Sequence, residues 1–323
     1  MGEGTARCER MALFAAGFNA CGQLYLDVDT SRVEPEDLHS FTLILGGESI
    51  ERPVARLSYT FVRLDGRLRM AGIGPDDEDV QEAASLFAEA ANGEILVVQR
   101  ESPLKSSKEA PGRPLLKYAS FAAWRAGDVQ QSWTPPSPVQ TIAAYDTGFV
   151  ILHQDGTVAT SGDARFENCL GRHVTEQSPA TKPGIVTDLS DLGELVKHVS
   201  ASGYTLAALT ESGAMYVWGL PPRGLKNRPG AFSTLDRVPN YVEIGNDKDV
   251  QDMAVGDSHA LVLTTDGSIY VTGSNENGQL GLGKTARDEL ESWTNIAFQP
   301  PSGHRVVAVA AGPRSSFILT AAV

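Results

Sequence analysis

Cysteine is scarce in this chain. Cys8, Cys21 and Cys169 are the only three in 323 residues. They lie far apart, with neither a metal-ligand spacing nor a disulfide framework, and read as small core or loop residues in a reducing compartment. No run of 18 apolar residues occurs, so no membrane-spanning helix is expected. The first residues lack the basic-then-apolar pattern of a secretory leader. Positive charge is also short: 27 basic residues face 40 acidic ones, a net charge of −13. Such a surface repels a phosphate backbone and favours basic partners, so direct nucleic-acid binding is not expected.

Catalytic signals are missing as well. The six histidines, at 39, 153, 173, 198, 259 and 304, are scattered, and none stands in a zinc-binding H-x-x-x-H or H-E-x-x-H spacing. No G-x-S-x-G nucleophile elbow occurs. Gly278–Thr285 spells the phosphate-loop pattern G-x-x-x-x-G-K-[ST]. A working phosphate loop, however, joins a buried strand to a helix N-terminus. Here Ser274–Asn277 precede it and read as a turn. These absences predict no catalytic residue, no metal, no cofactor and no enzymatic activity.

What is present is a repeat. Val250–Gly283 reads as two short strands around Asp266-Gly267, followed by a glycine-rich loop. Asp-Gly supplies the positive φ that a tight hairpin needs. Gly66, Gly156, Gly213 and Gly267 occupy the same turn position. Six residues after each stands another glycine: Gly72, Gly162, Gly219 and Gly273. The last three turns are 57 and 54 residues apart, a period that implies a solenoid, propeller or array.

The two ends each carry half a copy. Ser316–Leu319 aligns with Ala260–Leu263, and Val323 falls in the hairpin-turn column. Leu13–Gly17 aligns with Ile269–Gly273. Asn19 aligns with Asn275, and Gly22-Gln23-Leu24 with Gly278-Gln279-Leu280. A closed ring uses such a cut, because the ends complete one blade and leave no open sheet edge.

The pattern A-x-G-x-x-H-x-L-x-L-T-x-D-G-x-[IV]-Y-x-x-G-x-N-x-x-G-Q-L-G-x-G resembles the regulator-of-chromosome-condensation family of β-propellers. Ala254–Gly283 carries it nearly throughout. The split copy and Ala201–Gly219 carry it well, and Ala55–Gly72 and Tyr145–Gly162 carry it moderately. The resemblance implies an all-β fold with one closed propeller over residues 11–323, preceded by a flexible extension over residues 1–10. It implies seven blades, with six as the alternative. Five blades are readable, and residues 75–138 hold one or two more. In that stretch Leu86–Ala90 and Ile95–Val98 flank Asn92-Gly93 as one hairpin. Tyr118–Trp124 and Val129–Trp133 flank Gly127 as another. His259 falls in the family's inner-strand histidine column, where a packing or hydrogen-bonding role is expected. The four tryptophans are too few and scattered for the light sensing known in one plant member.

Function is then expected from loops, since strand residues are used in packing. After Gly219 the loop breaks the repeat. Arg223, Lys226 and Arg228 form a basic patch there among prolines, with Trp218 beside it as an anchor if exposed. Arginine and tryptophan are enriched at binding hot spots. The acidic run Asp76, Asp77, Glu78 and Asp79 is a second docking candidate, suited to a basic partner. The expected protein is a monomeric, non-enzymatic adaptor in the cytoplasm or nucleus that binds another protein. Among resembling proteins the small fungal alpha-tubulin suppressor type, which pairs with a zinc-ribbon electron carrier in tRNA wobble-uridine modification and diphthamide synthesis, is nearest in length. The alternatives are an exchange factor for the GTPase Ran and a chromatin adaptor that faces histones.

Overall fold

The computed structural model describes residues 10–27, 34–75, 86–99, 113–222, 232 and 235–323. Among these, the strands form six antiparallel sheets. Blade one comprises Val54–Ala55, Tyr59–Leu64 and Arg67–Gly72. Blade two comprises Phe87–Glu89, Ile95–Val98, Leu115–Tyr118 and Gln131–Trp133. Blades three, four and five begin with the inner strands Val139–Tyr145, Val196–Ser202 and Val250–Val255. Blade six has His304–Gly312 innermost, then Ser315–Ala322, then Met11–Gly17 and Leu38–Gly47.

Blade six is the expected shared blade. Leu13 pairs with Leu319 and Met11 with Ala321, so the two ends of the chain form one continuous sheet. The blade count is six, the lower of the two expected values. The described residues between 75 and 138 supply one blade, and their elements differ from the repeat. Asn92-Gly93 does turn between two paired strands, but these are the first and second strands of blade two, not the second and third. Gly127 does not sit in a hairpin. It closes a short helix over Phe121–Ala126, which starts at Ser120, whose hydroxyl accepts from the Ala123 amide at 3.2 Å. That helix separates two strands that still pair, Leu116 with Ser132.

The repeated glycines have a local cause. Gly273 adopts φ +99°, and a Cβ there would run into the Ser258 carbonyl of the first turn. Gly72 and Gly219 stand in the same relation to the Ser58 and Tyr204 carbonyls. The third strand therefore ends against the backbone of the first turn, and a side chain would push the two apart.

The asparagine–glutamine loops are locks. The Leu280 amide donates to Asn275 Oδ1 at 3.0 Å and the Asn277 amide to Gln279 Oε1 at 2.9 Å. The loop at 19–24 repeats this: Leu24 amide to Asn19 Oδ1 at 2.8 Å, and Cys21 amide to Gln23 Oε1 at 2.9 Å. Asp37 ties the two loops together, accepting from the Asn19 amide at 2.8 Å and from Asn277 Nδ2 at 2.9 Å. The Gly278 and Gly281 amides are also spent, on the Asn275 and Gly278 carbonyls. The phosphate-loop lettering thus describes a closed turn, not an anion cradle.

Blades pack face to face, so both faces of most strands are buried. Buried apolar clusters span five seams: two–three, three–four, four–five, five–six and six–one. His259 sits in the five–six seam, fully buried, with Nε2 3.3 Å from the Ser315 carbonyl. Burial pushes its pKa down to about 4, so it stays neutral and acts in packing and hydrogen bonding. The one–two seam differs. Among the described residues no buried apolar cluster crosses it. An aromatic ladder does: Phe61 stacks on Phe87 at 5.5 Å, and Phe87 meets Phe121 edge-on at 6.2 Å. Beside the ladder lies a crevice of about 360 Å³.

Candidate functional site at the mouth of the central channel

The inner strands surround a channel kept narrow by small side chains, among them Ala55, Ala88, Ala144, Ala201, Ala254 and Ala311. One end is crossed by Arg52. Its guanidinium donates to both carboxylate oxygens of Asp252 at 2.9 Å and to the Val309 carbonyl. Asp252 also accepts the Val309 amide at 2.8 Å. His198 lies 3.9 Å from this carboxylate. Burial holds its pKa down to about 4, so it adds no positive charge there at neutral pH. This end is internally satisfied and pins blades one, five and six together.

The other end is open. The first turns of the blades converge on a cavity of about 400 Å³. Arg56, Asp146, Gly203 and Asp257 occupy one repeat position, each ten residues before its hairpin glycine. Backbone bonds join neighbouring turns: Asn92 amide to Asp146 carbonyl at 3.1 Å, Asp146 amide to Gly203 carbonyl at 2.8 Å, and Asp257 amide to Pro313 carbonyl at 3.0 Å. The rim is therefore a rigid belt from which side chains project.

The charges on this belt are uneven. On one wall Tyr59 donates to Glu89, with Arg56 3.9 Å from the same carboxylate. Burial and Glu89 both raise the Tyr59 pKa, so the phenol keeps its proton. On the other wall Asp257 accepts from the Ser202 hydroxyl at 2.7 Å. Burial raises its pKa despite that bond. Burial pushes Asp146 up to about 6, and the Asp257 charge acts in the same direction. Among the described residues no side chain hydrogen-bonds or ion-pairs with the Asp146 carboxylate. Leu57, which lines the cavity, is 49% exposed.

Of the residues expected to bind a partner, Trp218 is not an anchor. Its ring is fully buried in the three–four seam, and Nε1 donates to the Cys169 carbonyl at 3.1 Å. Both faces of a propeller strand are covered, so a tryptophan next to a charged loop still points into core. Arg223, Lys226 and Arg228 lie outside the described residues, as do Asp76, Asp77, Glu78 and Asp79. The N-terminal flanks of both loops leave from first turns of their blades, whereas Leu86, which follows the acidic run, lines the crevice beside Arg52. The Ile73 amide donates to the Ser58 carbonyl at 2.7 Å and the Leu220 amide to the Tyr204 carbonyl at 2.9 Å. Among the described residues no group of three His, Cys, Asp or Glu side chains could hold a metal ion. No helix among them is long and apolar enough to cross a membrane.

A six-bladed ring closed by its own two ends, with asparagine–glutamine loop locks, defines a repeat-built β-propeller. The regulator of chromosome condensation (RCC1) repeat matches residues 250–279 and, in a second profile, residues 266–319. The regulator of chromosome condensation of Xenopus laevis is 35% identical over 137 residues, which is 41% of this chain and 30% of that protein. The ultraviolet-B receptor UVR8 of Arabidopsis thaliana is 30% identical over 188 residues, covering 58% of this chain and 40% of that protein. The matched part thus spans well under half the length of these curated relatives. Prp20p from Saccharomyces cerevisiae, described with its binding to Gsp1p and histones, superposes with a TM-score of 0.63 at 16% identity, over 98% of this chain and 92% of that one. Human WBSCR16 gives 0.58 at 15% identity, over 97% and 99%. The chain is a β-propeller with regulator-of-chromosome-condensation repeats, and these matches support an RCC1-type propeller.

Proposed function

We propose that this protein is a non-enzymatic protein-interaction propeller that engages its partner with the open-mouth face. One observation carries the reading: the two channel ends are chemically unequal. At the Arg52 end the charged groups are paired with one another by an ion pair and hydrogen bonds, although Arg52 and His198 also line the crevice of about 360 Å³. The other end presents a cavity of about 400 Å³, the Asp146 carboxylate, which has no partner among the described residues, and the exposed Leu57. Fold alone does not give function. Protein binding by relatives supports the reading, since Prp20p is described with Gsp1p and histones, and yeast RCC1 with Kap60. The basic loop with Arg223, Lys226 and Arg228 and the acidic run Asp76–Asp79 are proposed as secondary docking elements, because the residues that lead into them, Leu220 and Ile73, are bonded to first-turn carbonyls of this face.

A second reading, nucleotide exchange on a Ran-type GTPase, is favoured by the identity to the Xenopus regulator. The zinc-ribbon partnership in tRNA modification rests on the sequence resemblance alone. Titrating the full chain with purified Ran-type GTPase, histones and a zinc-ribbon electron carrier separates these partners. Stoichiometric binding of one without catalysis supports the adaptor. Accelerated nucleotide release at catalytic concentrations of the chain overturns it, and no binding to any protein partner removes the reading altogether.

A further inference from the structure

We infer that the open mouth is a pocket for one lysine or arginine side chain of a basic, partly apolar protein segment. The inference rests on the protein-interaction reading and gives it a site and a partner chemistry. The cavity of about 400 Å³ has room for a long side chain. Its lining residues differ in exposure. Leu57, an exposed apolar side chain, and Pro313 are among the lining residues. Less exposed than Leu57 are Asp146 and Asp257 from blades three and five, with Ser202 and Gly203 of the intervening blade four also lining the cavity. A lysine or arginine has the matching order, an apolar stem and then a cationic head.

The polar inventory leaves a place for that head. Glu89 is engaged by Tyr59 and Arg56 on the opposite wall. Asp257 is held by Ser202 and feels Arg314 and Arg56. The Asp146 main chain is used on both sides, by Asn92 and Gly203, so its position is fixed. Its carboxylate lacks a partner among the described residues. Burial and the neighbouring carboxylate both work against its charge. A cation placed between the two aspartates would relieve both effects, whereas an anion would add to them. The strongly acidic whole chain adds long-range attraction for a basic segment, but it does not choose where that segment lands.

The test uses the full chain and two fluorescein-labelled peptides, acetyl-GLKLG-amide and its glutamine counterpart acetyl-GLQLG-amide. Binding is read by fluorescence anisotropy at low salt and pH 7.5. The lysine peptide should saturate at one site, and the glutamine peptide should bind at least about ten-fold more weakly. Asp146→Asn/Asp257→Asn should weaken the lysine peptide about ten-fold or more. Asp188→Asn/Asp191→Asn removes the same charge from an exposed helix and should change binding less than about two-fold. If the double variant in the mouth fails to fold, Asp146→Asn alone serves, because its carboxylate holds no structural hydrogen bond among the described residues. Equal losses in the two double variants, or no loss in either, overturn the pocket. If the mouth variants lose the peptide but a protein partner still binds undiminished, the pocket is not the partner's site and the inference fails while the adaptor reading stands.

Discussion

The five–six seam and the one–two seam are built differently. Between blades five and six, Leu261, Leu263 and Val271 pack against Val309 and Ile318, all buried, with neutral His259 bridging to Ser315. Between blades one and two, half-covered aromatic rings stack beside an open crevice, with a polar Tyr59–Glu89–Arg56 group near the mouth. A ring does not need equal joints. Closure removes the exposed edges whichever seam is weakest, so five apolar seams can carry a sixth that is looser. The looser seam also borders the open mouth, since Tyr59 and Glu89 line the cavity. Packing strength and the candidate binding surface therefore lie on different parts of the ring.

The largest expected effect comes from breaking the closure that all seams share. Deleting 305–323 removes the two inner strands of blade six and exposes the edge of Met11–Gly17. Cooperative thermal unfolding should disappear. An unchanged melting transition would show that the ring does not depend on its shared blade.

The next effect sharpens the contrast between seams. Trp218→Ala opens a cavity in the three–four seam and leaves the Cys169 carbonyl without its donor, at a cost of ~3–5 kcal/mol. Phe61→Ala removes a half-covered ring from the one–two seam and should cost only ~1–2 kcal/mol. Chemical denaturation of both variants checks this, and equal losses would erase the distinction.

The smallest effect has the opposite sign and belongs to the mouth. The folded state raises the Asp146 pKa from an ordinary carboxylate value to about 6. The native protein therefore holds this proton more tightly than the unfolded chain, and stability falls as pH rises through that window. Above it the full penalty applies. Asp146→Asn should then stabilise the protein by ~1 kcal/mol at pH 7.5, after allowance for solvent screening of a half-exposed group. The advantage should vanish below about pH 4, where both side chains are neutral. Paired melts at the two pH values test it, and an advantage that persists in acid would contradict the assignment.

Several features could be read from the sequence because close backbone approach leaves residue-level marks. Gly72, Gly219 and Gly273 mark where the third strand meets the first turn. Asn19 and Asn275, with Gln23 and Gln279, mark loops that satisfy their own amides. The split between Leu13–Gly17 and Ser316–Leu319 marked the shared blade. Blade two was hidden because Asn92-Gly93 turns between the first pair of strands, and because a helix, not a hairpin, follows Tyr118. Trp218 stands next to a charged loop, but that neighbourhood does not signal exposure when both sheet faces are covered, and its ring is buried. The mouth had a signal that went unused. Asp146 and Asp257 share a repeat position whose other occupants include Gly203 and Arg56, so this position varies where packing alone would favour uniformity.

Native-state hydrogen exchange, read segment by segment, tests the unequal ring most directly. The account predicts that amides in Tyr59–Leu64, Phe87–Glu89 and Ile95–Val98 open at lower free energy than those in Thr205–Thr210 and His259–Thr264, with the one–two seam opening before global unfolding. Uniform protection around all six blades, or earliest opening in the five–six seam, would contradict it.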